Sequence, residues 1–257
     1  MKKLMWVAAL LPVVTAAQAQ DSNDLRIRAG LGAQLRPEFI GAEDREVAPY
    51  IDVDIAKGDD LFRVEAPDDN FGLRLISEEN FTAGPAANIE GKRKNSDVGA
   101  PVGEVKTTVE VGGYAEYLPS ESFRLRSEAL KGVNGHKGFV GSVGADYIAR
   151  NGDKWVFTLG PRLLLSDSRY HRAYFGVTPA AALASGLPAY RPKGGVHAVA
   201  AASGLSYQFS PKVGAFGFAR YERLVGNAAK SPIVRELGSR NQISTGLGLS
   251  YTFTVAR

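Results

Sequence analysis

The chain has 257 residues, a formal net charge of +4, no cysteine, 29 glycines, 10 tyrosines and 12 phenylalanines. The absence of thiols excludes disulfides, thiolate metal sites and a lipid-modified amino terminus. A net charge this small, part of it from Lys2 and Lys3, leaves no electrostatic footprint for nucleic acid.

The first element reads as an export signal. Lys2 and Lys3 precede an apolar run over residues 4–14, and Ala17-Gln18-Ala19 supplies a small-x-small cleavage pattern. Residues 1–19 are therefore expected to be a cleaved signal peptide, and residues 20–257 one domain. No later apolar run approaches the roughly 18 residues of a membrane helix. If the domain crosses a membrane it must do so as a closed barrel, because lipid offers no partner to unpaired backbone groups.

Strand patterns follow in chain order. Leu25, Ile27, Ala29, Leu31, Ala33 and Leu35 alternate with Arg26, Arg28, Gly30, Gly32 and Gln34. Val47, Pro49, Ile51, Val53 and Ile55 alternate with Glu46, Tyr50, Asp52 and Asp54. Neighbouring side chains on a strand point to opposite faces, so each run has one apolar and one polar face. Residues 61–66 and 71–77 read as shorter strands, and residues 81–88 as a weaker one. Residues 105–118, 123–133 and 138–150 are long and clear. Trp155, Phe157, Leu159, Leu163 and Leu165 then oppose Thr158, Arg162 and Ser166. Residues 196–209 and 213–225 precede the last run, in which Ile243, Leu247, Leu249, Tyr251, Phe253 and Val255 interleave with Gln242, Ser244, Gly246, Gly248, Ser250 and Thr252.

This pattern predicts twelve strands, with ten or fourteen also compatible with the weak third to fifth runs. Long connections fall only at odd positions (residues 36–46, 89–104, 167–195 and 226–239), and the even connections are short turns. That rhythm fits an all-β, transmembrane, antiparallel up-and-down barrel in outer-membrane lipid, with both termini and the short turns periplasmic. A soluble sandwich would show similar alternation but needs two facing sheets of much shorter strands.

The polar face would line the interior. It carries Arg26, Arg28, Asp52, Asp54, Lys106, Glu110, Glu116, Arg124, Arg126, Glu128, Asp146 and Arg162. Both signs are present, so mutual pairing is expected, since unpaired charge in a narrow interior is costly. The alternative is a selective channel with opposed acidic and basic walls. Twelve strands enclose more space than side chains alone fill, so a pore or an inserted loop must occupy it. The ninth loop offers a plug. Thr178-Pro179 starts a short helix over residues 180–185, Gly186 and Pro188 end it, and Tyr170, Tyr174, Phe175 and Tyr190 flank it. In the eleventh loop Asn227 can cap a turn through Ala228 and Ala229.

Catalysis finds no support. His136 lies in a glycine-rich hairpin, His171 in a loop and His197 at a strand start, none placed as a general base. No metal-ligand spacing occurs, and Gly246-Leu247-Gly248 reads as small barrel positions, not a phosphate cradle. No cofactor, metal or catalytic residue is expected.

The loops are less generic. Tyr170-His171-Arg172-Ala173-Tyr174-Phe175-Gly176-Val177, Ser185-Gly186-Leu187-Pro188-Ala189-Tyr190 and Gly194-Gly195 resemble the hallmark of the MipA/OmpV family. So do Arg220-Tyr221-Glu222-Arg223-Leu224, Ala228-Ala229-Lys230-Ser231-Pro232-Ile233, Pro49-Tyr50-Ile51-Asp52, Gly160-Pro161-Arg162 and the final Gly248-Leu249-Ser250-Tyr251-Thr252-Phe253. One departure is that Val255, Ala256 and Arg257 follow, so no aromatic is terminal. The resemblance implies an outer-membrane scaffold between a lytic murein transglycosylase and a bifunctional murein synthase. It also implies links to osmotic or antibiotic response and adhesion for some members. A porin-like channel for small polar solutes is the alternative. Signature loops on the outer side cannot themselves meet periplasmic enzymes, so they are expected to fold inward as plugs, or the scaffold must use the short turns.

Overall fold

The computed structural model describes residues 24–256, so the expected signal peptide lies outside the described residues. Its strands are β1 (Leu25–Pro37), β2 (Arg45–Lys57), β3 (Phe71–Gly72), β4 (Ile76–Ser77), β5 (Phe81–Glu90), β6 (Thr108–Ser120), β7 (Phe123–Gly132), β8 (Phe139–Asn151), β9 (Trp155–Ser166), β10 (Gly195–Gln208), β11 (Val213–Leu224) and β12 (Asn241–Val255). All join one antiparallel sheet, whose hydrogen-bonded order is β2-β1-β12-β11-β10-β9-β8-β7-β6-β5-β3, with β4 also on β5. The first and last strands pair, Leu25 opposite Val255, at the end of the sheet where the short turns lie. Among the described residues, five short helices lie in the long connections: α1 (Asn95–Val98), α2 (Ser168–Phe175), α3 (Pro179–Ser185), α4 (Gly226–Ala229) and α5 (Pro232–Glu236).

The twelve-stranded, all-β antiparallel architecture is the one the alternation predicts, but two of its members differ. Residues 61–66 form no strand; they turn into the lumen. Residues 71–77 give only the two-residue pieces β3 and β4. Period-two alternation reports which faces a segment has, but not whether that segment sits in the wall. The ladder is therefore open between β2 and β3.

The outward face is apolar along the strands, with Leu247, Leu31 and Ile51 at 70%, 68% and 67% exposure. Near the short turns, aromatic residues meet across strands: Trp155 opposite Tyr207, Phe123 opposite Tyr147, and Phe81 opposite Tyr117. An apolar band edged by aromatic rings is how a barrel meets a bilayer and its headgroup region.

Glycines make room for inward-facing rings. Phe216 and Phe218 of β11 each stack with Tyr50 of β2 at 4.9 Å, across two intervening strands. A Cβ on Gly248 would stand 2.5 Å from Phe216, and one on Gly246 2.4 Å from Phe218. The Gly-x-Gly of β12 is thus a steric requirement of the lumen aromatics. Gly248→Val should destabilise the barrel by about 1–3 kcal/mol, the usual cost of overpacking. Urea unfolding in detergent would read that loss, and Phe216→Ala in the same chain should recover part of it.

Candidate functional site

The inner face is a network of charges from neighbouring strands. Arg124 of β7 is 1% exposed and contacts Asp146 of β8 at 2.7 Å and Glu116 of β6 at 3.3 Å. Arg162 of β9 shares Asp146 at 2.7 Å, and Arg126 joins Glu128 at 2.5 Å and Glu116 at 3.4 Å. Arg28 pairs with Asp54, its register partner on β2. Each partner lies one strand away or two residues along, so alternation alone aims these side chains at one another.

A wedge from residues 61–70 fills the half of the lumen at the short-turn end. Its tip docks on the wall arginines: Asp69 takes both arms of Arg124 at 2.5 and 3.1 Å, and Asp68 meets Arg162 at 3.0 Å. Asn70 donates to Glu128 at 2.6 Å, and Arg63 pairs with Glu116. Phe62 lies beneath the guanidinium groups of Arg26 and Arg28, 4.8 and 4.7 Å from ring centre to carbon. Its backbone is held by Asp153, which accepts from the amide at 2.9 Å, and by Arg150, which donates to the carbonyl at 3.1 Å. Asp68, Asp69 and Asn70, together with Arg63, were not among the sequence-derived lumen residues. The only signal for residues 68–70 was a Pro-Asp-Asp-Asn turn composition, and Arg63 lies in the alternating run 61–66.

The opposite mouth is covered by a lid built from the four long loops. Helix α2 starts at Asp167, whose carboxylate accepts from the amides of Arg169 and Tyr170 at 2.9 Å. It buries Tyr170, Tyr174 and Phe175 with Val105, Ala198, Leu224, Ala228 and Val234, so the ninth and eleventh loops share one core. Phe39, Ala42, Val98, Val102, Val177, Leu187 and Ile233 form an adjoining cluster. Ser231 Oγ donates to the Phe175 carbonyl at 2.8 Å, and buried Arg93 donates to the carbonyls of Tyr174 and Gly103.

The expected helix, α3, forms between the predicted caps, Thr178 and left-handed Gly186. It is not the plug: none of its residues is buried, and Leu183 is 91% exposed. The aromatic load belongs to α2, a helix that the sequence pattern does not mark. Among the other signature residues, Pro232 is buried, Gly176, Ser185 and Tyr190 are half-buried and Gly186 is exposed. Tyr221 also departs from the lid, facing outward from β11. Of the expected lumen charges, Arg28, Asp54, Glu110, Glu116, Arg124, Arg126, Glu128, Asp146 and Arg162 are buried inside, and Arg26 and Asp52 are half-buried. Lys106 is the exception: it precedes β6 and is exposed.

All three histidines of the chain converge beneath the lid. His136 Nδ1 accepts from the Gly138 amide at 2.9 Å, so its Nε2 carries the proton that meets Glu110 at 2.8 Å. Tyr170 stacks against His136 at 4.9 Å and His197 at 5.4 Å, and His171 faces His197 at 6.0 Å. His197 Nδ1 bonds Ser166 Oγ at 3.0 Å, yet among the described residues no carboxylate bonds this histidine to orient it as a base. The cluster packs the lid. Between lid and wedge lies a cavity of about 430 Å³, bordered by Glu110, Arg126, Arg162, Glu222, Asn70 and Tyr170.

Long lipid-facing strands, an aromatic edge and a charged interior together define an outer-membrane β-barrel protein. The chain belongs to the family described as MltA-interacting protein MipA, which matches residues 29–253. No curated protein matches. Among solved structures, an outer-membrane channel of Pseudomonas putida F1 is 9% identical with TM-score 0.43, covering 93% of this chain and all (100%) of that one. The outer-membrane channel DcaP of Acinetobacter baumannii is 8% identical with TM-score 0.40, covering 91% and 98%. The N-terminal β-barrel domain of Pseudomonas aeruginosa OprF is 14% identical with TM-score 0.30, covering 68% and 98%.

Two outcomes follow from this geometry. Asp69→Ala leaves Arg124 with Asp146 and Glu116, so it should cost about 1–3 kcal/mol. Arg124→Ala takes the shared partner from three carboxylates at once, leaving Asp146 to Arg162 and Glu116 and Asp69 to Arg126, and should cost more, about 3–5 kcal/mol; urea unfolding of the two variants compares them. In the lid, burial pushes the His171 imidazole below its usual value, and the Gly195 backbone and Asp167 offset this only in part. The folded lid then binds fewer protons than the unfolded one. The contribution of neutral His171 is complete above about pH 6.5 and fades as pH falls through that unfolded value toward the lower folded one. Protease nicking of the lid should increase on acidification from pH 7 to pH 5, and His171→Phe should flatten that response.

Proposed function

We propose that this chain is a non-enzymatic outer-membrane barrel, closed at rest, that holds a murein-remodelling enzyme at the periplasmic face. The proposal includes a cleaved signal peptide over residues 1–19 and a single barrel domain after it. The observation that carries it is the double closure: the wedge fills one end of the lumen and the lid covers the other. A lumen narrowed at both ends suits a barrel that conducts little. The family description names an interaction with MltA, a lytic murein transglycosylase, and such an enzyme works on the side where the short turns lie. A murein synthase as second partner fits the same face.

That face has a basin suited to docking. It measures about 800 Å³ and is bordered by Arg26, Phe62, Lys154, Phe209, Lys212 and Phe253, near the chain ends. Aromatic and basic side chains at a concave rim are typical anchors of a protein interface. The outer lid takes no part in this contact, which resolves how a family signature can lie on the opposite side from the partner: it builds the closure.

A porin-like reading is favoured by one observation, the charged cavity between wedge and lid. Planar-bilayer recording of the refolded mature protein separates the two. A folded, heat-modifiable and electrically silent barrel is expected, and steady open steps would overturn the closed-scaffold reading. Binding of a purified lytic transglycosylase to the detergent-solubilised barrel tests the partner. Phe209→Ala with Lys212→Glu should weaken that binding by about tenfold or more if the basin is an anchor site. Absence of binding to the unaltered barrel would sink the scaffold role.

A further inference from the structure

Strand β2 is paired with β1 along its whole length, from Leu25 opposite Lys57 to Pro37 opposite Arg45. Among the described residues no strand pairs with its other edge. Lipid provides no hydrogen-bond partner for a strand edge at that depth. The chain carries a segment shaped to fill this place. After β2, the turn at residues 57–60 is already closed, with the Asp60 amide donating to the Lys57 carbonyl at 3.0 Å and Gly58 at φ +51°. Those are the features of a two-residue hairpin turn.

Continuing that hairpin fixes a register. Leu61 falls opposite Ala56, Phe62 opposite Ile55, Arg63 opposite Asp54, Val64 opposite Val53, Glu65 opposite Asp52 and Ala66 opposite Ile51. On β2, Ile51, Val53 and Ile55 face outward, while Asp54 and Ala56 are buried inward. The register therefore gives Phe62, Val64 and Ala66 to the lipid face and sets Arg63 in the lumen against Asp54. A slip by one residue would put Arg63 and Glu65 into lipid. Only the Asp52 and Glu65 opposition is unfavourable. Residues 67–70, Pro-Asp-Asp-Asn, then form the turn leading to β3.

Removing the wedge also leaves the wall network paired. Arg124 keeps Asp146 and Glu116, Arg126 keeps Glu128 and Glu116, and Arg162 keeps Asp146. The wedge gives up its contacts with these arginines and the packing of Phe62 under Arg26 and Arg28, and it gains the backbone ladder of β2. We propose that residues 61–70 exchange between a wedge in the lumen and a strand on the free edge of β2, and that this exchange opens the central cavity to the periplasm. The lid stays shut during the exchange, so the opened state is a periplasm-facing chamber and not a through-channel. The inference concerns the barrel alone and stands whether or not a murein enzyme docks on it.

The chain has no cysteine, so introduced pairs report without background. Two pairs probe the exchanged register in the full-length protein in outer-membrane vesicles: Val53→Cys with Val64→Cys, and Asp54→Cys with Arg63→Cys. Adjacent cross-strand positions alternate between hydrogen-bonded and non-hydrogen-bonded sites, so one of the two has the closer approach. Control pairs across the existing ladder are Ala29→Cys with Val53→Cys and Arg28→Cys with Asp54→Cys. Oxidation should yield a disulfide in at least one exchange pair, more slowly than in the controls. A third cysteine, Ser244→Cys at the cavity wall, should then react with a bulky maleimide severalfold faster than in the uncross-linked protein. Controls that cross-link while neither exchange pair does would overturn the exchange. A disulfide that forms without faster labelling at position 244 would overturn the opening of the chamber.

Discussion

A buried guanidinium cannot stay unpaired, and around Arg124 that requirement organises the lumen. Its carboxylate partners come from three places: Glu116 on the preceding strand, Asp146 on the following one, and Asp69 on the wedge. Taking so many charges out of water costs more than an isolated pair returns, and only a network in which each group has several partners recovers it. The arrangement sets the register of the wall, because Glu116 and Asp146 must reach the same side chain from opposite sides. It also gives the wedge its docking point. The wall pairs are complete without Asp69, so the wedge is held by a surplus of acceptors and not by an orphaned charge.

The lid rests on apolar burial. Four loops far apart in sequence bring Phe39, Val102, Phe175, Leu187, Ala228 and Ile233 together over the barrel mouth, where none of these loops could cover its own apolar side chains alone. Hydrogen bonds from Ser231 and Arg93 onto the end of α2 then satisfy carbonyls that would otherwise be buried without partners. This accounts for a signature divided between the ninth and eleventh loops: the two stretches are halves of one packed interface.

The barrel strands were legible because a bilayer enforces period-two alternation on every segment that crosses it. Ile51, Val53, Leu247 and Leu249 had to face outward, and Arg124, Arg126 and Glu116 inward, and the structure places each so. The Gly-x-Gly of β12 was readable as small positions, although its cause, the rings of Phe216 and Phe218, required the neighbouring strand. The wedge was misread because Leu61 to Ala66 alternate like a wall strand while occupying the lumen. Helix α2 was missed because its cap, Asp167, sits directly after a strand, and Tyr170, His171, Tyr174 and Phe175 load a face that matters only once three other loops cover it. The meeting of the three histidines joins β10, α2 and the hairpin before β8, and no local pattern encodes such contacts.

Closure at the two ends rests on different physics, and this bears on what the protein can do. The lid is a hydrophobic core, cooperative and costly to open piecemeal, because exposing Phe175 also exposes the residues packed on it. The wedge is held by ion pairs at the edge of a charged cavity, and their wall partners remain paired among themselves without it. Of the two, only the wedge can leave without exposing an apolar core or orphaning a wall charge. Phe62 and Arg26 belong both to the wedge contact and to the basin beside the short turns. A partner seated in that basin would touch the residues that hold the wedge, so occupancy of the basin and position of the wedge are bound to influence one another, each by the same free energy.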